Sequence, residues 1–92
     1  MDSIIQNKKE CYFCGSQTAL ESHHCILGKN RHNAEKYGLK VWLCYEHHRG
    51  TYGVHGKVGS VLQNKLKVAA QKKFEEAYPE LDFLDIFKIN YL

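Results

Sequence analysis

The chain has 92 residues, enough for one domain with a modest core, and a core of that size often needs a staple. No apolar run reaches the ~18 residues of a membrane helix, and a content of 43% hydrophobic and 25% charged residues excludes a disordered polyelectrolyte. The net charge of +3 is unevenly placed: residues 51–73 carry five lysines and no acid, whereas residues 75–92 carry five acids and one lysine. A basic middle permits a polyanion partner on one face, and a solvated helix face accounts for the lysines equally well. The first residues show no apolar secretory segment, so a cytosolic setting is expected, with no membrane partner. In a reducing compartment, four cysteines mixed with six histidines read as metal ligands rather than disulfides.

In chain order, residues 1–10 read as a polar lead-in with a partial helix. Cys11-Tyr12-Phe13-Cys14 places two thiolates where they can share one ion. Gly15 lets the backbone turn beneath them with φ > 0. Residues 18–27 suit an extended strand, on which His23 and His24 point to opposite faces. Residues 28–39 read as a basic loop with one helical turn at 33–37, ended by Gly38. Residues 40–43, with Val41 and Trp42, form a second strand that pairs with the first as an antiparallel hairpin. From Cys44 a helix is expected, with Cys44 and His47 on one face and His48 turned by about 100°. Gly50, Gly53 and Gly56 then break it into a loop carrying His55. Ser60 to Gln63 has the form of a capping box. After it, Leu62, Leu66, Ala70, Phe74, Ala77 and Tyr78 make a helical stripe that stops before Pro79. Residues 80–92 read as a short helix or turn packed back on the domain. The elements give an α+β class and a single domain over 1–92, with a metal-stabilised core at 11–56, a C-terminal helix at 60–78 and a packed tail.

Two ligand sets emerge from these placements. Cys11, Cys14, Cys44 and His47 make a closed set suited to structural Zn²⁺. Cys25, two residues after His23 on the same strand face, competes with His47 for the fourth position; its other reading is a small buried thiol. His23 on a strand and His48 on a crossing helix can meet, and His55 can fold back as a third imidazole. Three imidazoles with an open position describe a catalytic metal site. His24, facing away from that metal, is free to act as a base.

The order C-x₂-C, His-His, polar loop with asparagine, then Cys-x₂-His-His resembles the HNH endonucleases. The stretches His23 to Arg31 and Tyr37 to Cys44 are similar to small phage-encoded HNH proteins. They are more distantly similar to RecA-dependent nucleases of phage recombination-enhancement systems. The resemblance implies a ββα-metal fold with a zinc knuckle and a metal-dependent nuclease that hydrolyses double-stranded DNA to 5′-phosphate and 3′-hydroxyl ends. It implies His23 and His48 as ligands of a catalytic divalent metal (Zn²⁺, Ni²⁺, Mn²⁺ or Mg²⁺) and His24 as general base. Asn30 takes the place of the middle asparagine that orients the base loop, with Asn33 as its rival. Lys29, Arg31, Lys36, Lys40 and Arg49, with the lysines of the long helix, are the expected phosphate contacts. A homodimer or a phage recombination partner is compatible with this reading. A zinc-stabilised nucleic-acid-binding or interaction module without catalysis is the alternative.

Overall fold

The structure, a computed structural model, describes residues 2–92. Strands β1 (Glu21–His24) and β2 (Lys40–Leu43) form an antiparallel hairpin in which Ser22 faces Trp42, His23 faces Val41 and His24 faces Lys40. β1 is shorter than the 18–27 expected, because backbone pairing starts only at Glu21. The connection is more ordered than expected: a 3-10 turn (Gly28–Asn30) runs into helix α1 (Arg31–Tyr37), which Gly38 closes at φ 74°. Helix α2 (Tyr45–Arg49) follows β2 directly, with Cys44 at its N-cap. Helix α3 (Ser60–Ala77) stops before Pro79, and α4 (Phe83–Phe87) folds back in the tail.

Residues 2–10 form no helix, contrary to expectation. They run along the outer edge of β2 instead. The Ile4 amide donates to the Gly38 carbonyl at 2.9 Å, Trp42 N–H donates to Gln6 Oε1 at 2.8 Å, and Tyr12 N–H donates to the Trp42 carbonyl at 2.9 Å. The Ser3 hydroxyl donates to the Lys40 carbonyl. A two-stranded sheet leaves unpaired backbone groups on its edges; this segment satisfies those of β2.

The core collects Ile26, Leu39, Val41 and Leu43 from around the hairpin, Leu66, Ala70 and Phe74 from α3, and Phe83 and Phe87 from α4. The stripe on α3 is therefore as expected at its centre, but Ala77 is exposed and the polar Gln71 is buried. Gln71 sits there because the tail satisfies it: its Nε2 donates to Asn90 Oδ1 at 2.7 Å, and its Oε1 accepts from the Tyr91 amide at 2.7 Å. The expected capping box does not form. Gly59 occupies the N-cap of α3, Ser60 is already helical, and the Gln63 side chain turns away to the Val54 carbonyl. No helix among the described residues is long and apolar enough to cross a membrane.

Candidate metal centres

Cys11, Cys14, Cys44 and His47 bring one ligand atom each to within 4.8 Å of one another. The turn at Cys11–Cys14 is closed by the Gly15 amide on the Cys11 carbonyl at 2.8 Å, and Gly15 adopts φ 78° as expected. The opposite half comes from the N-cap and third residue of α2. The Cys14 and Cys44 sulfurs are 3.8 Å apart, and His47 Nδ1 lies 3.5 Å from Cys11 Sγ and 3.3 Å from Cys44 Sγ. A tetrahedral zinc with Zn–S of about 2.3 Å and Zn–N of about 2.0 Å requires S···S edges near 3.8 Å and S···N edges near 3.5 Å. These three edges match and all ligand atoms lie within 4.8 Å of one another, so the set fits a structural Zn²⁺. All four cysteines are free thiols, which excludes a disulfide account of the spacing.

The electrostatics agree. Burial works against ionising Cys11, but the amides of Cys44, Cys14 and Phe13 point at its sulfur, and the net effect lowers it to about 6. A thiol that is readily a thiolate is a ready metal ligand. Cys25 is the opposite case. It is 2% exposed, lies outside the cluster, and burial pushes its thiol up to about 12. It is a small core residue, and His47 keeps the fourth position.

The second cluster is His23, His48 and His55, whose ligand nitrogens also lie within 4.8 Å of one another. His23 comes from β1, His48 from α2 and His55 from the glycine-rich loop. The ring centroids are 5.3 Å apart for His23–His48, 5.2 Å for His23–His55 and 4.7 Å for His48–His55. His23 and His48 are buried and His55 is exposed, so the cluster opens to solvent on one side. Burial first, then the neighbouring imidazoles, lowers His23 to about 3; burial first, then His48 and the Arg49 guanidinium, lowers His55. A neutral imidazole is the form that binds a metal, and the lowering at His23 and His55 favours it there.

The loop reaches back because its backbone is packed closely. The Val54 amide donates to the His47 carbonyl and the His55 amide to the His48 carbonyl, both at 2.9 Å. A Cβ on Gly56 would fall 1.8 Å from the Gly50 oxygen, so only glycine permits this fold-back.

A cleft of about 490 Å³ covers the triad and is lined by Ser22, His23, His24, Leu27, Gly28, Arg31, His48, Arg49 and His55. His24 ends β1, and the cleft reaches it around the strand end. Its Nε2 lies 2.8 Å from Glu35 Oε1 and its Nδ1 lies 3.3 Å from Arg31 Nε. Adjacent histidines thus have separate partners, as strand alternation requires. Asn30 donates to the Phe87 carbonyl at 2.9 Å, tying the loop after β1 to the tail.

Two carboxylates were not singled out from the sequence. Glu21 Oε1 accepts from His48 Nδ1 at 2.8 Å and from Arg49 Nε at 2.9 Å; Arg49 first, then His48, holds its carboxyl at about 2. With Nδ1 so engaged, His48 presents Nε2 to the triad. The position of Glu21 two residues before His23 on a strand was the available signal, since i and i+2 share a face. Glu35 lies on α1, and His24 first, with Lys40, holds it at about 2. No spacing in the sequence points to it.

Of the expected phosphate contacts, Arg31 and Arg49 line the cleft. Lys29 is exposed on a neighbouring depression with Arg31 and His32. Lys36 lies over the Tyr37 ring. Lys40 is not an outward cation: its ammonium is 3.0 Å from Glu35 Oε2 and half-buried. Comparison with known proteins found no matching family model, curated protein or solved structure.

Proposed function

We propose that the chain is a metal-dependent endonuclease of the HNH type, in which the hairpin and α2 form a ββα-metal unit around the second cluster. The observation that carries this reading is the triad itself: three imidazoles open to a cleft, beside a histidine that is not part of the cluster. A module that needs zinc only for folding has no use for a second ligand set, nor for a carboxylate that orients one of its members. A zinc-stabilised nucleic-acid-binding module is therefore the weaker reading.

His23, His48 and His55 would hold a divalent ion such as Zn²⁺, Ni²⁺, Mn²⁺ or Mg²⁺. When bound there, the ion supplies polarisation of a phosphate and neutralises charge on the leaving oxygen. Glu21 holds His48 by its Nδ1, the usual arrangement for a ligating imidazole. His24 takes the proton from the attacking water. Arg31 and Arg49 bring positive charge to the cleft wall, where they grip DNA phosphates without reading bases. Cys11, Cys14, Cys44 and His47 hold the structural zinc that fixes α2, and hence His48, against the hairpin.

The test is cleavage of supercoiled plasmid by the purified chain, supplied in turn with Mn²⁺, Ni²⁺, Mg²⁺ and Zn²⁺, beside His24→Ala. Nicked or linear product that needs metal and His24 is expected. Absence of product with every metal, while DNA is still retained in a gel shift, would replace the nuclease with the binding module.

A further inference from the structure

His24 and Lys40 are cross-strand partners, so the hairpin presents an imidazole and an ammonium side by side. Helix α1 lays the Glu35 carboxylate over both. Glu35 Oε1 is 2.8 Å from His24 Nε2, and Lys40 Nζ is 3.3 Å from Oε1 and 3.0 Å from Oε2. On the other edge of the ring, Arg31 Nε donates to His24 Nδ1 at 3.3 Å. The two partners select one neutral tautomer. A guanidinium has only donors, so Nδ1 must accept; an ionised carboxylate has only acceptors, so Nε2 must carry the hydrogen. Both contacts favour the same assignment, and Glu35 alone keeps it once Arg31 turns to another partner.

We propose that Glu35 is the positioning residue of the site: it fixes His24 as the Nε2–H tautomer and so turns the Nδ1 lone pair toward Arg31 and the cleft. The use of that lone pair rests on the nuclease reading; the tautomer does not. Asn30 holds the loop from another direction, its amide nitrogen donating to the Phe87 carbonyl. In the free protein Arg31 caps the lone pair. A phosphate entering the cleft offers the guanidinium a charge-assisted, bidentate partner, and Nδ1 is then open to water. The water proton passes to Nδ1, the hydroxide oxygen bonds to phosphorus, and the 3′-oxygen leaves with the electrons of the broken P–O bond. The imidazolium so formed is stabilised by the Glu35 carboxylate.

The experiment combines nitrogen-15 NMR of the histidine rings with steady-state plasmid cleavage, on wild type and Glu35→Gln. Glu35 is partly exposed, so the substitution is compatible with folding, and thermal unfolding and metal content on the same samples verify it. The wild-type His24 ring should carry its proton on Nε2. In Glu35→Gln the neutral amide can either donate to or accept from Nε2, and only Arg31 still favours the Nε2–H form, so the Nε2–H population should fall. kcat should then fall by ~10²-fold or more, with KM for DNA and metal content unchanged. A wild-type ring protonated on Nδ1 would overturn the proposal, as would a variant with the same tautomer and the same kcat. An Nε2–H ring that depends on Glu35 in a chain that cuts no DNA would support the positioning role and sink the nuclease reading alone.

Discussion

His23 and His24 are neighbours in the chain, yet their rings meet different surroundings. His23 is 3% exposed and faces two other imidazoles; His24 sits between a carboxylate and a guanidinium. Substitution separates their roles. His24→Ala should keep both metals and the fold while cleavage falls by ~10²- to 10⁴-fold; a variant with wild-type rate removes His24 as base. Glu21 acts one step further out, by holding the ring of His48. Glu21→Gln should weaken metal binding at the histidine cluster by ~10- to 100-fold, leaving the cysteine site loaded. Competition with a metal-sensitive dye reads both affinities, and an equal loss at the two sites would argue for a general disturbance of the hairpin.

The elements show why some of this was legible in the residues and some was not. The metal sets were readable because ligand chemistry is local: C-x₂-C turns and an i, i+3 pair on a helix fix geometry over a few residues. The strand at Lys40–Leu43, the break at the glycines and the packed tail follow from equally local rules. Glu35 was not readable, because its meeting with His24 depends on how α1 lies over the hairpin, which no periodicity encodes. The failed capping box has a related origin: α3 starts one residue early, with Gly59 at its N-cap, and the Gln63 amide donates to the Val54 carbonyl instead of reaching back to a cap N–H. The loop between α2 and α3 carries a prediction of its own. Gly56→Ala would put a methyl 1.8 Å from the Gly50 oxygen, so the loop must shift and take His55 with it. Metal affinity at the histidine cluster should drop while zinc stays at the cysteine site; unchanged affinity would show that His55 is not a ligand. Phe74, fully buried against Tyr37, Phe83 and Phe87, anchors α3 to the rest. Phe74→Ala should cost ~3–5 kcal/mol in denaturant unfolding.

At the level of the whole molecule, stability and metal binding share the same titrating groups. His23 and Cys11 both have folded values below their ordinary ones, about 3 and about 6. A group depressed in this way contributes stability that is fully present above its unfolded value, roughly 6.5 for histidine and 8.5 for cysteine. That contribution fades as pH falls toward the folded value, because the unfolded chain takes up more protons. Proton competition for the metal ligands acts in the same direction. The thermal midpoint should therefore decline from pH 8 to pH 5; a midpoint that rises on acidification would contradict the sign. On the proposed reading, one small chain carries two metal sites with separate tasks, the first for folding and the second for chemistry. Native mass spectrometry of wild type and His48→Ala, with plasmid cleavage and circular dichroism on the same samples, tests it most directly. The account predicts two metal equivalents in the wild type and one in the variant, which stays folded but no longer cuts. One equivalent in both proteins, or a variant that cuts with a single metal, would contradict it.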